Sequence, residues 1–107
     1  MFKLTPNPTF WATVSLSVPG SDAPAPIEIE FRHHGQKALA ALFRKEGATD
    51  LDLLPVLING WRGVEGESGD LKYSLEAIAT LLDNYPAAGV EIFTAYRREL
   101  MESRIKN

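Results

Sequence analysis

Residues 10–32, FWATVSLSVPGSDAPAPIEIEFR, alternate between apolar and polar side chains on both sides of a turn. Residues 10–18 and 27–32 each have a period of two, which is typical of a strand with one buried face. Between them, Pro19–Pro24 has the chemistry of a turn, because proline presets φ and glycine accepts a positive φ. The stretch therefore predicts an antiparallel β-hairpin with a long loop. Because an isolated hairpin is marginally stable in water, its apolar face must pack against other elements.

Four helices are predicted after the hairpin, from apolar residues at helical spacing and from start and stop signals. They run from Gln36 to Glu46, from the cap Thr49 to a loop that starts at Gly60, from the cap Ser74 to Asn84, and from Pro86 to about Ser103. The order of elements predicts an α+β fold, an N-terminal antiparallel hairpin followed by about four helices, in one domain over residues 1–107.

The first three helices each have a stripe that we expect to be buried. These stripes contain Leu39, Leu42 and Phe43, then Leu51, Leu54, Leu57 and Ile58, then Leu75, Ile78, Ala79 and Leu82. On the last helix Val90, Phe93, Arg97 and Leu100 share one stripe, with Ile92, Tyr96 and Ser103 beside it.

Two residues inside the predicted helices are unusual there. Pro55 is late for a first turn, so the second helix either starts near Leu53 or kinks at the proline. Gly89 disfavours helix by roughly 1 kcal/mol relative to alanine, which indicates close packing against a neighbour. The glycine-rich loop over residues 60–69 is expected to be the most mobile internal segment.

The composition excludes several functional classes. The chain has 107 residues, which fits one domain, and its lack of cysteine excludes disulfides, thiolate metal sites and cysteine nucleophiles. The net charge is −3, and residues 46–91 carry nine acidic side chains against two basic ones, which argues against nucleic acid as a partner and permits a basic protein. No apolar run approaches the roughly 20 residues of a membrane span, and the N-terminus lacks signal-peptide features, so we expect no membrane partner and a protein that stays where it is made.

No set of residues indicates catalysis. Adjacent side chains of the extended pair His33-His34 point to opposite faces and cannot easily share a metal ion. Glu65, Glu67 and Asp70 lie in a glycine-rich segment, which is a poor platform for a rigid acid/base pair. That segment follows a helix and lacks the lysine of a phosphate-binding loop. We therefore predict no catalytic residue, no metal and no cofactor.

The two tryptophans are stronger signals than any titratable group. Trp11 is predicted on the polar face of the first strand, and Trp61 lies beside Arg62 at a junction between a helix and a loop. Tryptophan and arginine are the residues most enriched in binding hot spots. The alternative is that Trp61 fills the core while Arg62 stacks on a ring or pairs with an acid.

Several motifs in a fixed order cover nearly the whole chain. They are the opening Met1–Trp11, the strand end Glu30-Phe31-Arg32-His33, the turn Gly60-Trp61-Arg62-Gly63-Val64, the helix end Leu82-Asp83-Asn84-Tyr85-Pro86, and Ile92-Phe93-x-x-Tyr96 followed by Arg98-Glu99-Leu100. Together they resemble the phage tail assembly chaperones of long-tailed siphophages and prophages. Each motif alone is weak, and their order is what carries the resemblance.

The resemblance implies a non-enzymatic assembly factor in the cytoplasm of the bacterial host. Proteins of this family bind the long, apolar tape measure protein and keep it soluble, so the implied partner is the tape measure protein. The tail tube protein and a frameshifted longer form of the chain are further candidate partners. No residue-level motif carries over from the family. Partner helices dock by laying an apolar stripe in a groove, which makes the candidate contact residues Trp61, Tyr85, Phe93 and Tyr96, with Arg62 and Arg97 at the rim.

Three other interpretations stay open at this point. The chain could be a small tail-completion or adaptor protein retained in the virion. It could be a regulatory or antitoxin-like binding module, although it lacks the expected basic groove. An enzyme is the third alternative, and no site for one is visible in the sequence.

Overall fold

A three-stranded antiparallel sheet and four helices make up the computed structural model, which describes residues 1–102. The elements in chain order are β1 Thr9–Leu16, β2 Ala25–Arg32, α1 Gln36–Phe43, α2 Asp50–Leu57, β3 Ile58–Arg62, β4 Glu65–Gly66, β5 Gly69–Asp70, α3 Leu75–Asn84 and α4 Ala88–Met101. The predicted α+β fold, with an N-terminal hairpin and four helices, is confirmed. The predicted end of the last helix, near Ser103, lies outside the described residues.

The hairpin of β1 and β2 has the predicted alternation. Phe10 pairs with Phe31 and Val14 with Ile27, so the apolar residues of both strands share one face. Val14 and Phe31 are buried there, whereas Trp11 lies on the opposite face and is partly exposed. A period of two was therefore enough to assign each side chain to a face of the sheet.

The third strand was not predicted from the sequence. Ile58 was expected on the stripe of the second helix and Gly60 at the start of a loop, but residues 58–62 form β3 and pair with β2. A bulge opposite Glu30 and Phe31 explains the error, since it lets Ile58 and Trp61, three residues apart, both face the core. The rest of the predicted loop contains the short hairpin of β4 and β5, whose turn places Gly69 at a φ of 102°.

Helix α2 starts at Asp50 and continues through Pro55 without a break. Its start is the predicted capping box, because the Thr49 hydroxyl accepts from the Asp52 backbone N–H and the Asp52 carboxylate accepts from Thr49. Leu54 and Leu57 are buried as expected, but Leu51, expected on the same stripe, is 44% exposed.

Side chains at and just after the end of β2 cap the C-terminal end of α2. One guanidinium nitrogen of Arg32 donates to the carbonyls of Pro55 at 3.0 Å and Ile58 at 2.7 Å. The His34 ring Nε2 lies 3.0 Å from the Val56 carbonyl. The final carbonyls of a helix have no partner within the helix, so these contacts stabilise a short helix whose proline removes one internal hydrogen bond.

Helices α3 and α4 complete the core. Ser74 caps α3 as predicted, since its hydroxyl accepts from the Ala77 N–H at 3.0 Å. Leu75, expected in the core, is the first residue of that helix and is 66% exposed. Tyr85-Pro86 separates the two helices as predicted, but α4 begins at Ala88 instead of Pro86. The chain between the two helices forms a turn, in which the Ala88 N–H donates a hydrogen bond to the Tyr85 carbonyl at 2.9 Å.

The buried face of α4 is the one centred on Ile92 and Tyr96, both fully buried. The neighbouring stripe of Val90, Phe93, Arg97 and Leu100 is only partly covered, and Val90 is 68% exposed. At the start of α4, a Cβ on Gly89 would overlap the Asp50 carboxylate of α2. The prediction that Gly89 marks close packing against a neighbour is therefore confirmed.

Candidate partner-binding surfaces

The six candidate contact residues lie on three separate surfaces. Arg62 is on the solvent-facing side of the three-stranded sheet, which we call the outer sheet face. Trp61 and Tyr85 line a cleft between the β4–β5 hairpin and α3, called the hairpin cleft. Phe93, Tyr96 and Arg97 line a groove between α1 and α4, called the α1–α4 groove. A single partner helix therefore cannot contact all six residues along one groove.

On the outer sheet face Arg62 is held by two neighbours. Its guanidinium forms a two-point ion pair with Glu28, with Nε–Oε2 at 2.8 Å and Nη2–Oε1 at 3.3 Å. Its Cζ lies 4.1 Å from the centroid of the Trp11 ring, which is a cation–π contact. The hydrogen bond from Arg62 lowers the pKa of Glu28 below its ordinary value. The side chain of Arg62 is therefore held by residues of its own sheet. This matches the alternative in which Arg62 stacks on a ring or pairs with an acid.

In the hairpin cleft Trp61 is mostly a core residue. Its side chain is 7% exposed, its indole N–H donates to the Leu71 carbonyl at 2.9 Å, and its ring meets Tyr73 edge-on with centroids 5.1 Å apart. These contacts fasten the segment after β5 to β3. Tyr85 is half-buried at the other side of the cleft, which encloses about 440 Å³. Trp61 therefore presents an edge to this cleft rather than an open face.

Tyr73 beside it has an unusual environment. Its hydroxyl is buried and has no hydrogen-bond partner within the described part of the chain. Burial raises the pKa of Tyr73 above the ordinary 10.0. An unpaired buried hydroxyl destabilises a fold, so the contact of its ring with Trp61 is what favours this position.

The α1–α4 groove is the most apolar of the three surfaces. Phe43 of α1 meets Phe93 of α4 edge-on with ring centroids 5.9 Å apart, yet Phe43 remains 48% exposed. Leu39, Leu100 and Met101 complete the apolar lining, and Met101 is 73% exposed. The groove encloses about 400 Å³ and is open to solvent.

Tyr96 lies under this groove and belongs to the core. It is 0% exposed, and its ring contacts the rings of Phe31 and Phe10, whose centroids are 5.1 and 5.9 Å away. Its hydroxyl donates to the Arg32 carbonyl at 3.0 Å. A residue without exposed surface cannot contact a docked partner in this conformation, so the contact role expected of Tyr96 does not fit its position.

The sequence analysis did not single out the α1 side of the groove. Phe43 was expected in the core of the protein. The missed signal is that α1 has eight residues, too few to cover an apolar stripe by themselves. Elsewhere in residues 1–102, no three His, Asp or Glu side chains are grouped so that they could hold a metal ion. None of the helices described is long and apolar enough to cross a bilayer.

Comparison with known proteins gives one match. The family model described as phage tail assembly chaperone matches residues 1–107, the whole chain. No curated protein and no solved structure matches this chain.

Proposed function

Because this chain belongs to the phage tail assembly chaperone family, we propose that it binds the tape measure protein of its phage or prophage and keeps it soluble during tail assembly. The observation that carries the proposal is the match of the family model over all 107 residues. The proposed action is binding without catalysis, in the cytoplasm of the bacterial host. The tail tube protein and a frameshifted longer form of the chain are proposed as further partners.

The physical support for this proposal is an apolar surface that residues 1–102 leave exposed. A soluble monomer rarely exposes contiguous apolar area without a binding role. In the α1–α4 groove Phe43, Phe93 and Met101 are all at least partly exposed. Such a groove suits an apolar helical segment, because docking removes apolar surface of both molecules from water.

The test is co-expression with the tape measure protein, taken as the longest coiled-coil-rich open reading frame just downstream. We expect the tape measure protein to move from the pellet into the soluble fraction and to co-purify with the chain. The control is co-expression with an unrelated soluble domain of similar size. A tape measure protein that stays insoluble, with nothing co-purifying, would contradict the proposal.

A second measurement separates the proposed function from the virion-adaptor alternative. Mass spectrometry of purified phage particles should find the tape measure protein and not this chain, because an assembly factor leaves the finished tail. Stoichiometric recovery of the chain in washed particles would favour the adaptor instead.

A further inference from the structure

Helix α1 is the least anchored of the four helices. The N-cap residue of α1 is Gly35, which has no side chain to cap the helix. The first turn of α1 has no acidic residue to favour the helix dipole. None of its residues is fully buried. In contrast, α2 and α3 each have a side-chain cap and at least two buried residues. A helix of eight residues with so little support forms only through packing of its apolar face.

That apolar face is covered on one side only. Leu39 and Phe43 face α4, where Phe93 and Leu100 meet them across the groove. The outer half of the Phe43 ring remains in water. On α4, Phe93 and Leu100 line the groove, and they belong to the partly covered stripe and not to the buried face that contains Ile92. Two helices therefore each leave part of an apolar stripe open along the same groove.

The rim of the groove is basic. Helical spacing places Lys37 and Arg44 in line with Ala40, which lines the groove from α1. Arg97 lines it from α4. Within residues 1–102 the one ion pair is that of Arg62 with Glu28, so none of these three cations forms an ion pair with another described residue. The acidic residue nearest to Arg97 in sequence is Glu99, two positions further along α4, and the one nearest to Arg44 is Glu46, which comes after the end of α1.

We propose that the α1–α4 groove binds an amphipathic α-helix whose apolar stripe is flanked by acidic residues. The apolar stripe would pack on Phe43, Phe93 and Leu100, and the acidic flanks would face Lys37, Arg44 and Arg97. Eight residues of α1 extend over about 12 Å, or two turns, so the partner contributes apolar anchors at spacing i, i+3 or i+4, and i+7. The identity of the partner as tape measure protein rests on the proposed function, whereas the chemistry of the bound helix rests on the groove.

The test uses two synthetic 18-residue amphipathic helices with the same leucine stripe, one flanked by glutamates and one by lysines. Fluorescence anisotropy with the full-length chain should show the glutamate peptide binding about fivefold to tenfold more tightly at low salt, as expected for two or three exposed ion pairs. That preference should shrink at 1 M salt, where charges are screened beyond a few ångströms. Equal binding of the two peptides at low salt, or no binding of either, would overturn the proposal.

Matched variants locate the site. Lys37→Glu should remove most of the preference for the glutamate peptide, whereas Lys72→Glu, the same charge change away from the groove, should leave it intact. Phe43→Ala should weaken binding of the glutamate peptide at least tenfold, whereas Leu75→Ala, at an apolar residue of α3 that is more exposed than Phe43, should not. Circular dichroism of each variant checks that the fold is retained. Equal effects within either pair would place the binding elsewhere.

Three further outcomes separate this inference from the proposed function and from self-association. If the wild-type chain keeps the tape measure protein soluble and Phe43→Ala and Lys37→Glu do so equally well, the groove is not the site although the function stands. If the wild-type chain does not solubilise the tape measure protein, the proposed function is wrong. The peptide measurements still test whether the α1–α4 groove binds an acidic amphipathic helix. A concentration-dependent dimer that Phe43→Ala abolishes would make a second copy the occupant and overturn the proposal.

Discussion

Replacing Gly89 by alanine would place a methyl group inside the Asp50 side chain, where α4 and α2 begin next to each other. The new Cβ would overlap the carboxylate oxygen, lie 2.8 Å from the carboxylate carbon and lie 3.4 Å from the Cβ of Asp50. Rotation of the carboxylate about its own axis moves the oxygens but not the carbon. The Asp50 side chain must therefore change its χ1 rotamer, or the two helices must separate.

The expected magnitude follows from two opposing terms. Alanine in place of glycine in a helix stabilises it by about 0.5–1 kcal/mol, and Gly89 does not have a positive φ that would prevent this gain. Overpacking costs about 1–3 kcal/mol. Gly89→Ala should therefore lower the free energy of unfolding by about 1 kcal/mol. In the Asp50→Ala background the clash is absent, so the same change should raise it by about 0.5–1 kcal/mol.

The assay is urea unfolding followed by circular dichroism for the wild type, both single variants and the double variant. Asp50→Asn is the matched control, because it removes the charge and retains the volume. In that background Gly89→Ala should remain destabilising if the volume of the side chain is responsible. A coupling energy below about 0.3 kcal/mol between positions 50 and 89 would refute the contact, since independent sites add within that margin.

Three further predictions concern the sheet and its caps. Arg32→Ala should lower the free energy of unfolding by about 1–3 kcal/mol in urea titrations, because the Pro55 carbonyl loses a charged donor; Arg32→Lys should recover part of this loss. Tyr96→Phe should cost about 0.5–1.5 kcal/mol for the lost hydroxyl hydrogen bond, whereas Tyr96→Ala should cost about 3–5 kcal/mol for the cavity, and equal costs would contradict the packing described. Arg62 lowers the pKa of Glu28 in the folded state, so this pair stabilises the fold above the ordinary pKa of 4.5 and the stabilisation is lost as the pH falls below it. The difference in melting temperature between wild type and Glu28→Gln should be present at pH 7 and shrink as the pH is lowered below 4.5, and a difference that does not change with pH would contradict this.

The elements that the sequence predicted correctly are those that depend on neighbours along the chain. The hairpin follows from a period of two, and the starts of α2 and α3 follow from Thr49 with Asp52 and from Ser74, whose bonds all lie within three residues. Local steric preferences and local hydrogen bonds are present in the sequence itself.

The surfaces on which the candidate contact residues lie could not be read from the sequence. Phe93 and Arg97 do line an open groove, but the same groove depends on Phe43, which was expected to be buried. Tyr96 was expected at a surface and is fully buried. A periodic stripe indicates that a helix has an apolar face, but it does not indicate how much of that face another element covers.

What the sequence alone determined is therefore the α+β class, the faces of β1 and β2, and the caps of α2 and α3. What only the tertiary structure decided is the third strand, the continuation of α2 through Pro55, and the separation of the contact candidates onto three surfaces. Each of these depends on residues distant in sequence. Ile58 becomes a strand residue because it pairs with the edge of β2, with a bulge in β3, and the end of the helix that contains Pro55 is stabilised by Arg32, 23 residues earlier, which donates to the Pro55 carbonyl. Contacts between distant segments have no local pattern from which they could be predicted.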